Sequence, residues 1–496
     1  MYCLNLRGNQ RTSGETSRRE GGKVFGSGSR TPVAITVLVK NPEHTGGAVI
    51  HYHDIGDYLS REDKLSKVTT FADISAVPWE EIIPNAAGDW VNQRSELFQT
   101  FQALGDKKNS AQLPIFDTYS LGVVTNRDAW AYNFSREALL TNMDKTIDVY
   151  NAERARFSQL LKKPAVDSFV DTDPTKISWD GTLKSELRKD KPAALDPAKA
   201  VPSMYRPFTK QWLYFDRQWN NRVYLQPSLF PTPEHENRVI AVSGSGTRSQ
   251  FSAIMTDSVP CLHLADASNG SQCFPRYRYA KVDDTGSLFA GDGGYERHDA
   301  ISTRTLERYR QRYGADVTAD DVFYYVYGIL HSPEYRTRFA ADLGKMIPRI
   351  PMVESFREFT SAGRRLADLH VGYEAVDPFE LDGMPDAGAD PKCLYVEKLR
   401  FAGGGRAADK STIVVNRYVT LSRIPQDAYR YDVNGRSAIE WILDRYQLKV
   451  DKDSKIANDP NTWSDNPRYI VELLARIVRV SIESVEIIDA LPTLGI

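Results

Sequence analysis

The apolar positions of this 496-residue chain are spaced in two ways, and the change from one to the other divides it. At the start Tyr2, Leu4 and Leu6 alternate with Cys3 and Asn5, so the chain opens as if already inside a strand. Residues 31–40 (TPVAITVLVK) form an unbroken apolar run, which predicts a central strand buried on both faces. A second alternating strand is predicted over 48–53, and residues 60–65 open a helix with Glu62 and Asp63 in its first turn, where the helix dipole favours acids. This order predicts the last third of an α/β domain whose earlier strands are absent.

Beyond residue 65 helical signals are mixed up to residue 112. Residues 135–161 then read as one long charged helix suited to bridging two domains. Residues 163–200 are rich in Lys, Asp and Pro and poor in apolar side chains, which predicts a solvated loop or linker. Alternating runs return over 238–264, broken by the Gly/Ser stretch 243–246, as strands around a tight loop. Helical spacing follows. Thr318 and Asp321 form a capping-box start, Ser332 and Pro333 cap the next helix, and 352–369 continues the pattern. A β segment over 395–421 precedes two closing helices, at 437–446 and from Asn466 and Pro467, the latter with Ile470, Leu473, Leu474, Ile477 and Val478 on one face.

The densest chemistry lies at residues 204–222 (MYRPFTKQWLYFDRQWNNR). Tyr205, Phe208, Trp212, Tyr214, Phe215 and Trp219 are interleaved there with Arg206, Lys210, Arg217 and Arg222, against the single acid Asp216. Cations hold phosphates while rings, Asn and Arg side chains address bases, so the mixture suits a nucleic-acid surface. A strand pair with its rings on the core face gives the same pattern. Thr125, Asn126 and Arg127 form a polar turn after an apolar strand. Asn126 or Arg127 there reaches base edges, or the turn simply bonds its own backbone. Residues 243–248 (SGSGTR, ending in Arg248) offer backbone donors to a phosphate.

Net charge is −2, so any surface for a polyanion must be local. The first 30 residues supply one such excess, with Arg7, Arg11, Arg18, Arg19, Lys23 and Arg30 against Glu15 and Glu20. Four cysteines in a chain this long are no disulfide framework and point to a reducing cytoplasm, and the longest apolar run is too short to cross a membrane. Three motifs fail. Residues 404–411 approach a phosphate-binding loop, but Asp409 replaces the second Gly and a β-like run follows. Cys261, His263 and Cys273 are three zinc-ligand types at no standard spacing, and His51 with His53 reads as a surface pair on one strand face.

Several long phrases recur in order as they do in one family. The run 4–40 (LNLRGNQRTSGETSRREGGKVFGSGSRTPVAITVLVK) resembles the distal half of the catalytic domain of N6-adenine DNA methyltransferases, most closely that of type ISP restriction-modification enzymes. GVVTNRDAWAYNF (122–134), YRPFTKQWLYFDRQWNNR (205–222), YGILHSPEYRTRFAADLGKMIPRIP (327–351) and NGRSAIEWILDRYQ (434–447) resemble the carboxy-terminal specificity region of the same enzymes. Their nuclease, helicase, methyltransferase and target-recognition parts lie in this order on one polypeptide.

The resemblance implies an α/β partial methyltransferase domain followed by a mixed α+β target-recognition region. Residues 1–100 are the distal methyltransferase part, 101–162 a helical connector, 163–200 the linker and 201–496 the recognition region. The implied partner is double-stranded DNA, bound through Asn126, Arg127, Arg206, Lys210, Trp212, Arg217, Asn220, Arg222 and Arg248. Phe25 stands where related enzymes place a ring that stacks on an extruded adenine. Such enzymes hold S-adenosylmethionine in a Gly-rich turn and the adenine in an Asn/Asp-Pro-Pro-aromatic tetrapeptide. Neither occurs here, and Pro84 and Asn85 stand in the wrong order. The chain is therefore expected to bind no cofactor itself and to transfer no methyl group alone. S-adenosylmethionine belongs to the complete enzyme, with a second chain supplying the missing methyltransferase, helicase and nuclease parts. A truncated reading frame without activity is the remaining alternative.

Overall fold

The computed structural model describes residues 1–11, 14–26, 29–107, 112–247, 250–282, 294–404 and 408–496. The first part is a four-stranded sheet of β1 (Tyr2–Asn5), β2 (Ala34–Val37), β3 (Ile50–Asp54) and β4 (Glu80–Ile82) in the order β2-β1-β3-β4. β1 and β3 run parallel, Tyr2 opposite His51, and antiparallel strands flank them on both sides. A small core of Leu4, Leu6, Val24, Ile55 and Val77 lies beneath, against α1 (Arg61–Phe71), whose Ser60–Asp63 capping box matches the acidic start expected there.

β2 departs from expectation. It pairs with β1 alone, and all four of its residues are exposed, as are Leu38 and Val39 beyond it. Apolarity along a strand shows that both faces want cover but not that neighbours are there to give it, so the run that read as central forms an edge. His51 stacks on Tyr2 at 4.7 Å and His53 meets Phe71 edge-on at 5.6 Å, as ordinary packing.

Two further four-stranded sheets form the body of the molecule. One has β5 (Ser120–Leu121), β9 (Val239–Val242), β10 (Ala253–Thr256) and β12 (Gln272–Pro275) in the order β10-β9-β12-β5. The other has β6 (Tyr132–Asn133), β7 (Ala200–Arg206), β8 (Thr209–Tyr214) and β11 (Val259–Pro260) in the order β11-β7-β8-β6. Segment 122–124 ties them together, since Val123 bridges Cys261 and Val124 exchanges backbone hydrogen bonds with Arg222. Between β6 and β7 runs the long helix α2 (Arg136–Ser158), as its pattern predicted.

The stretch 163–200 is not a solvated linker. Val166, Val170 and Ile177, with Leu183 and Leu187 of α3 (Gly181–Arg188), are buried against Leu139, Met143 and Tyr150 of α2 and against Tyr214 and Trp219. Its few large apolar side chains gather on the side facing α2, which average composition does not register.

The first of the two large sheets packs on a helical layer. This comprises α4 (Thr303–Tyr313), α5 (Ala319–His331), α6 (Pro333–Arg338) and α7 (Phe356–Val371), following the hairpin of β13 (Tyr277–Lys281) and β14 (Tyr295–Asp299). Thr318–Asp321 caps α5 as a box and Ser332 with Pro333 begins α6, both as read from sequence. α5 and α7 cross at glycines, because a methyl group on Gly328 or Gly363 would run into the other helix's backbone. The second sheet shares its core with a small sheet of β15 (Arg400–Ala402), β16 (Asp409–Val414) and β17 (Thr420–Leu421) and with α8 (Ala438–Arg445) and α9 (Tyr469–Asp489). No helix among the described residues is long and apolar enough to cross a membrane, and no described cluster of His, Cys, Asp and Glu is arranged to hold a metal.

Candidate nucleic-acid interface

A cleft of about 1120 Å3 lies between the β7–β8 strand pair, the proline-rich segment 231–233, the base of the β13–β14 hairpin and the start of α5. Lys199, Lys210, Arg217, Arg238, Arg276 and Arg297 line it, but most are already neutralised. Lys199 pairs with Asp216, Lys210 with Glu374 at 3.0 Å, Arg238 with Asp368 at 2.7 Å, and Arg276 with both Asp299 and Asp320. Arg217 and Arg297 are exposed and join no salt bridge among the described residues. The Arg297 guanidinium lies 4.5 Å from the centre of the Tyr277 ring, which also carries Arg276 at 4.3 Å. His235 anchors the hairpin base by edge-on contacts to Tyr279 at 4.8 Å and Tyr295 at 5.2 Å. The cleft therefore offers two cations that have no acid partner among the described residues, and a set of rings, to an anionic, flat-faced ligand.

The residues singled out at 204–222 divide between core and surface. Phe208, Tyr214 and Trp219 are buried, so the rings serve mainly as core. Arg206 is largely buried and stays inside the protein, over the Tyr205 ring at 4.0 Å, with Cys261 Sγ at 3.1 Å and Asp128 at 4.0 Å. Asn220 is buried, donating from Nδ2 to the carbonyls of Tyr214 and Asp216, and is corrected from base reader to turn brace. Lys210 is held by its acids, and Trp212 packs half-buried against Trp463 at 5.9 Å and under Arg136. Arg222 is exposed and donates to Asn221 O and Thr182 Oγ1. Arg206 shows that a strand cation turned inward is tolerated where interior partners meet it.

In the 125–127 turn Asn126 is exposed with φ +55°, while Arg127 is corrected to an interior residue. Its guanidinium is 2.8 Å from Asp180 Oδ1 and donates to Trp219 O, and burial pulls its pKa down. Arg248 lies outside the described residues. Cys261 and Cys273 are both buried; Cys261 faces Arg206, and its thiol is pushed up by burial. Sequence reading passed over Tyr277, Arg297 and the hairpin they occupy. Their signal was the period-two alternation Arg276, Tyr277, Arg278, Tyr279, which marks a ribbon with cations on one side.

Phe25 stands 59% exposed on a loop whose preceding backbone, residues 20–24, is tied down by side chains. Lys64, fully buried, donates from Nζ to the carbonyls of Glu20 at 2.6 Å and Gly22 at 2.9 Å, and burial lowers its pKa. Gln10 Nε2 holds Gly21 O at 2.6 Å and Arg61 Nε holds Val24 O at 3.1 Å. Gly21 (φ +69°) and Gly22 lie so close to the backbone at Leu59 and Arg61 that no side chain fits. Val24 fills the small core while the next side chain is held out in solvent.

The chain matches the Type ISP C-terminal specificity domain over residues 114–473 and belongs to that family. Among solved structures it is similar to a nuclease-deletion mutant of the Type ISP restriction-modification enzyme LlaGI in complex with a DNA substrate mimic, at 38% identity and a TM-score of 0.86. It is similar at 35% identity and 0.86 to the ATP-dependent Type ISP restriction-modification enzyme LlaBIII bound to DNA, and at 30% and 0.82 to DrdV in a DNA complex. Each match covers 100% of this chain but 37%, 31% and 48% of the respective relative, so the chain spans a third to a half of their length. No curated protein sequence matches it.

Proposed function

We propose that this chain reads DNA sequence for a type ISP restriction-modification system, directing adenine N6 methylation and restriction by the complete enzyme. The observation that carries this is the family match over 114–473, which takes in the cleft with its Arg217 and Arg297. The similar structures, each a DNA complex, support double-stranded DNA as the ligand. In this reading residues 201–496 are the recognition region and 1–100 the distal part of a Rossmann-like methyltransferase domain, supported by the parallel β1–β3 pair. Cytoplasmic location is part of the proposal. The test is selection from a random duplex pool with the purified chain. Enrichment of one short sequence is the expected result, and uniform recovery of all sequences overturns the reading.

Within the cleft, Arg217→Ala with Arg297→Ala should weaken duplex binding and flatten its salt dependence by about 0.9 in log–log slope for each phosphate no longer neutralised. Melting temperature should stay unchanged, since both side chains are exposed. An unaltered slope would remove these two residues from the interface.

A second reading, an adenine methyltransferase completed by another chain, is favoured by the open β2 edge with Ile35, Val37, Leu38 and Val39 exposed. S-adenosylmethionine does not fit the residues present. At the carboxyl ends of β1 and β3, where parallel sheets hold ligands, the Arg7 cation is already paired with Asp54 and Asp57. Phe25, in this proposal, stacks on the extruded adenine of the completed enzyme. Phe25→Ala should cut methylation by roughly one to two powers of ten, the size of a stacking contact, with duplex affinity and melting temperature unchanged. A drop in melting temperature would instead make Phe25 a packing residue.

A further inference from the structure

We propose that the outer face of α4 is a contact surface for the phosphate backbone of duplex DNA, with Arg304, Arg308 and Arg312 as its contacts. The proposal rests on the DNA-reading function above and extends it beyond the cleft. Ser302 caps α4, its side chain accepting from Thr305 N, and the helix buries Thr305 and Tyr309 against the helical core. That leaves Arg304, Arg308 and Arg312 exposed at i, i+4 and i+8, on one side. Each step along the axis is about 6 Å, over which one DNA strand presents about two phosphates.

The three differ from most arginines around them. Arg276 is paired with Asp299 and Asp320, Arg238 with Asp368 and Arg357 with Asp316. Among the described residues no salt bridge includes Arg304, Arg308 or Arg312, and Glu307 is the helix's one acid. Folding gains little from this arrangement, since of the three only Arg312 lies in the last turn, where the dipole favours a cation. Like charges four residues apart oppose a helix, and Arg304 sits in the first turn, where the positive end of the dipole repels a cation. A face that costs stability and carries one sign of charge in a chain of net charge −2 is explained by a polyanion that covers it. Only residues 300–302 separate α4 from β14, whose Arg297 lines the cleft, so the stripe continues the cleft wall along the chain.

The test compares the 496-residue chain with its Arg304→Gln, Arg308→Gln, Arg312→Gln triple variant, by fluorescence anisotropy on a labelled mixed-sequence duplex over a series of salt concentrations. The slope of log affinity on log salt should fall by roughly two to three, and affinity at low salt by about tenfold or more. Arg304→Glu supplies a readout that packing alone does not move. It should weaken DNA binding while holding or raising the melting temperature, because an acid there suits the dipole and pairs with Arg308. Unchanged affinity and slope in the triple variant, with the wild-type chain binding, overturns the stripe alone. Failure of the wild-type chain to bind any duplex overturns the DNA-reading function and the stripe with it. Binding of the wild-type chain to phosphatidylserine vesicles that the triple variant loses, with DNA binding intact, overturns it in favour of a lipid surface.

Discussion

Acidification should unfold this protein through two buried histidines. His331 of α5 and His370 of α7 are both almost completely buried, their rings 5.6 Å apart. His370 Nδ1 bonds the Tyr327 hydroxyl at 2.6 Å and its Nε2 the Ser484 hydroxyl at 3.0 Å, while Tyr431 stacks on its ring. His331 Nδ1 meets Tyr327 O at 2.8 Å. Among the described residues no carboxylate touches either ring, and the nearby charge is Arg336, whose opposing acid is Asp432. Burial, with the Arg336 cation adding to it, pushes His331 well below its usual value and His370 to about 3.

The unfolded chain protonates both below pH about 6.5 and the folded chain does not, so stability is complete above that value and is lost as pH falls. An imidazole kept unprotonated by the fold contributes a slope of about 1.4 kcal/mol per pH unit, so His370 removes about 3 kcal/mol within two units, and His331 acts in the same direction. Urea unfolding at neutral and acid pH measures this. A His331→Asn, His370→Gln variant should be weaker at neutral pH but much less pH-dependent, and an equal slope in both proteins would show that other groups drive acid unfolding.

Arg127→Ala should lower stability by about 3–5 kcal/mol, the cost of leaving one buried charge without its partner. Asp180, which would be left, also caps α3 through Leu183 N and accepts from Asn221, so it cannot turn to solvent without releasing both. Melting temperature measures the loss. DNA affinity of the fraction that remains folded should match wild type, in contrast with Arg217 and Arg297, where binding changes and stability does not. A stable Arg127→Ala protein with weakened DNA binding would return Arg127 to the interface.

Local chemistry was legible in the sequence wherever a few neighbouring residues decide the outcome. The Thr318–Asp321 and Ser60–Asp63 capping boxes, the Pro333 helix start, α2 and the apolar face of α9 follow from hydrogen bonds and spacings within a turn or two. Family membership was legible too, because long phrases in fixed order carry far more information than any short motif. What only the tertiary structure decided is which way side chains point across distant segments. Residues 31–40 are apolar in sequence whether or not a neighbour covers them, and β2 turned out to be an edge. Arg127 and Arg217 look alike as cations beside an aromatic-rich stretch. One is buried because Asp180, 53 positions later, meets it, and the other is exposed because no acid among the described residues does. Burial of a charge depends on a partner that the fold brings from far along the chain, and no local pattern records that distance.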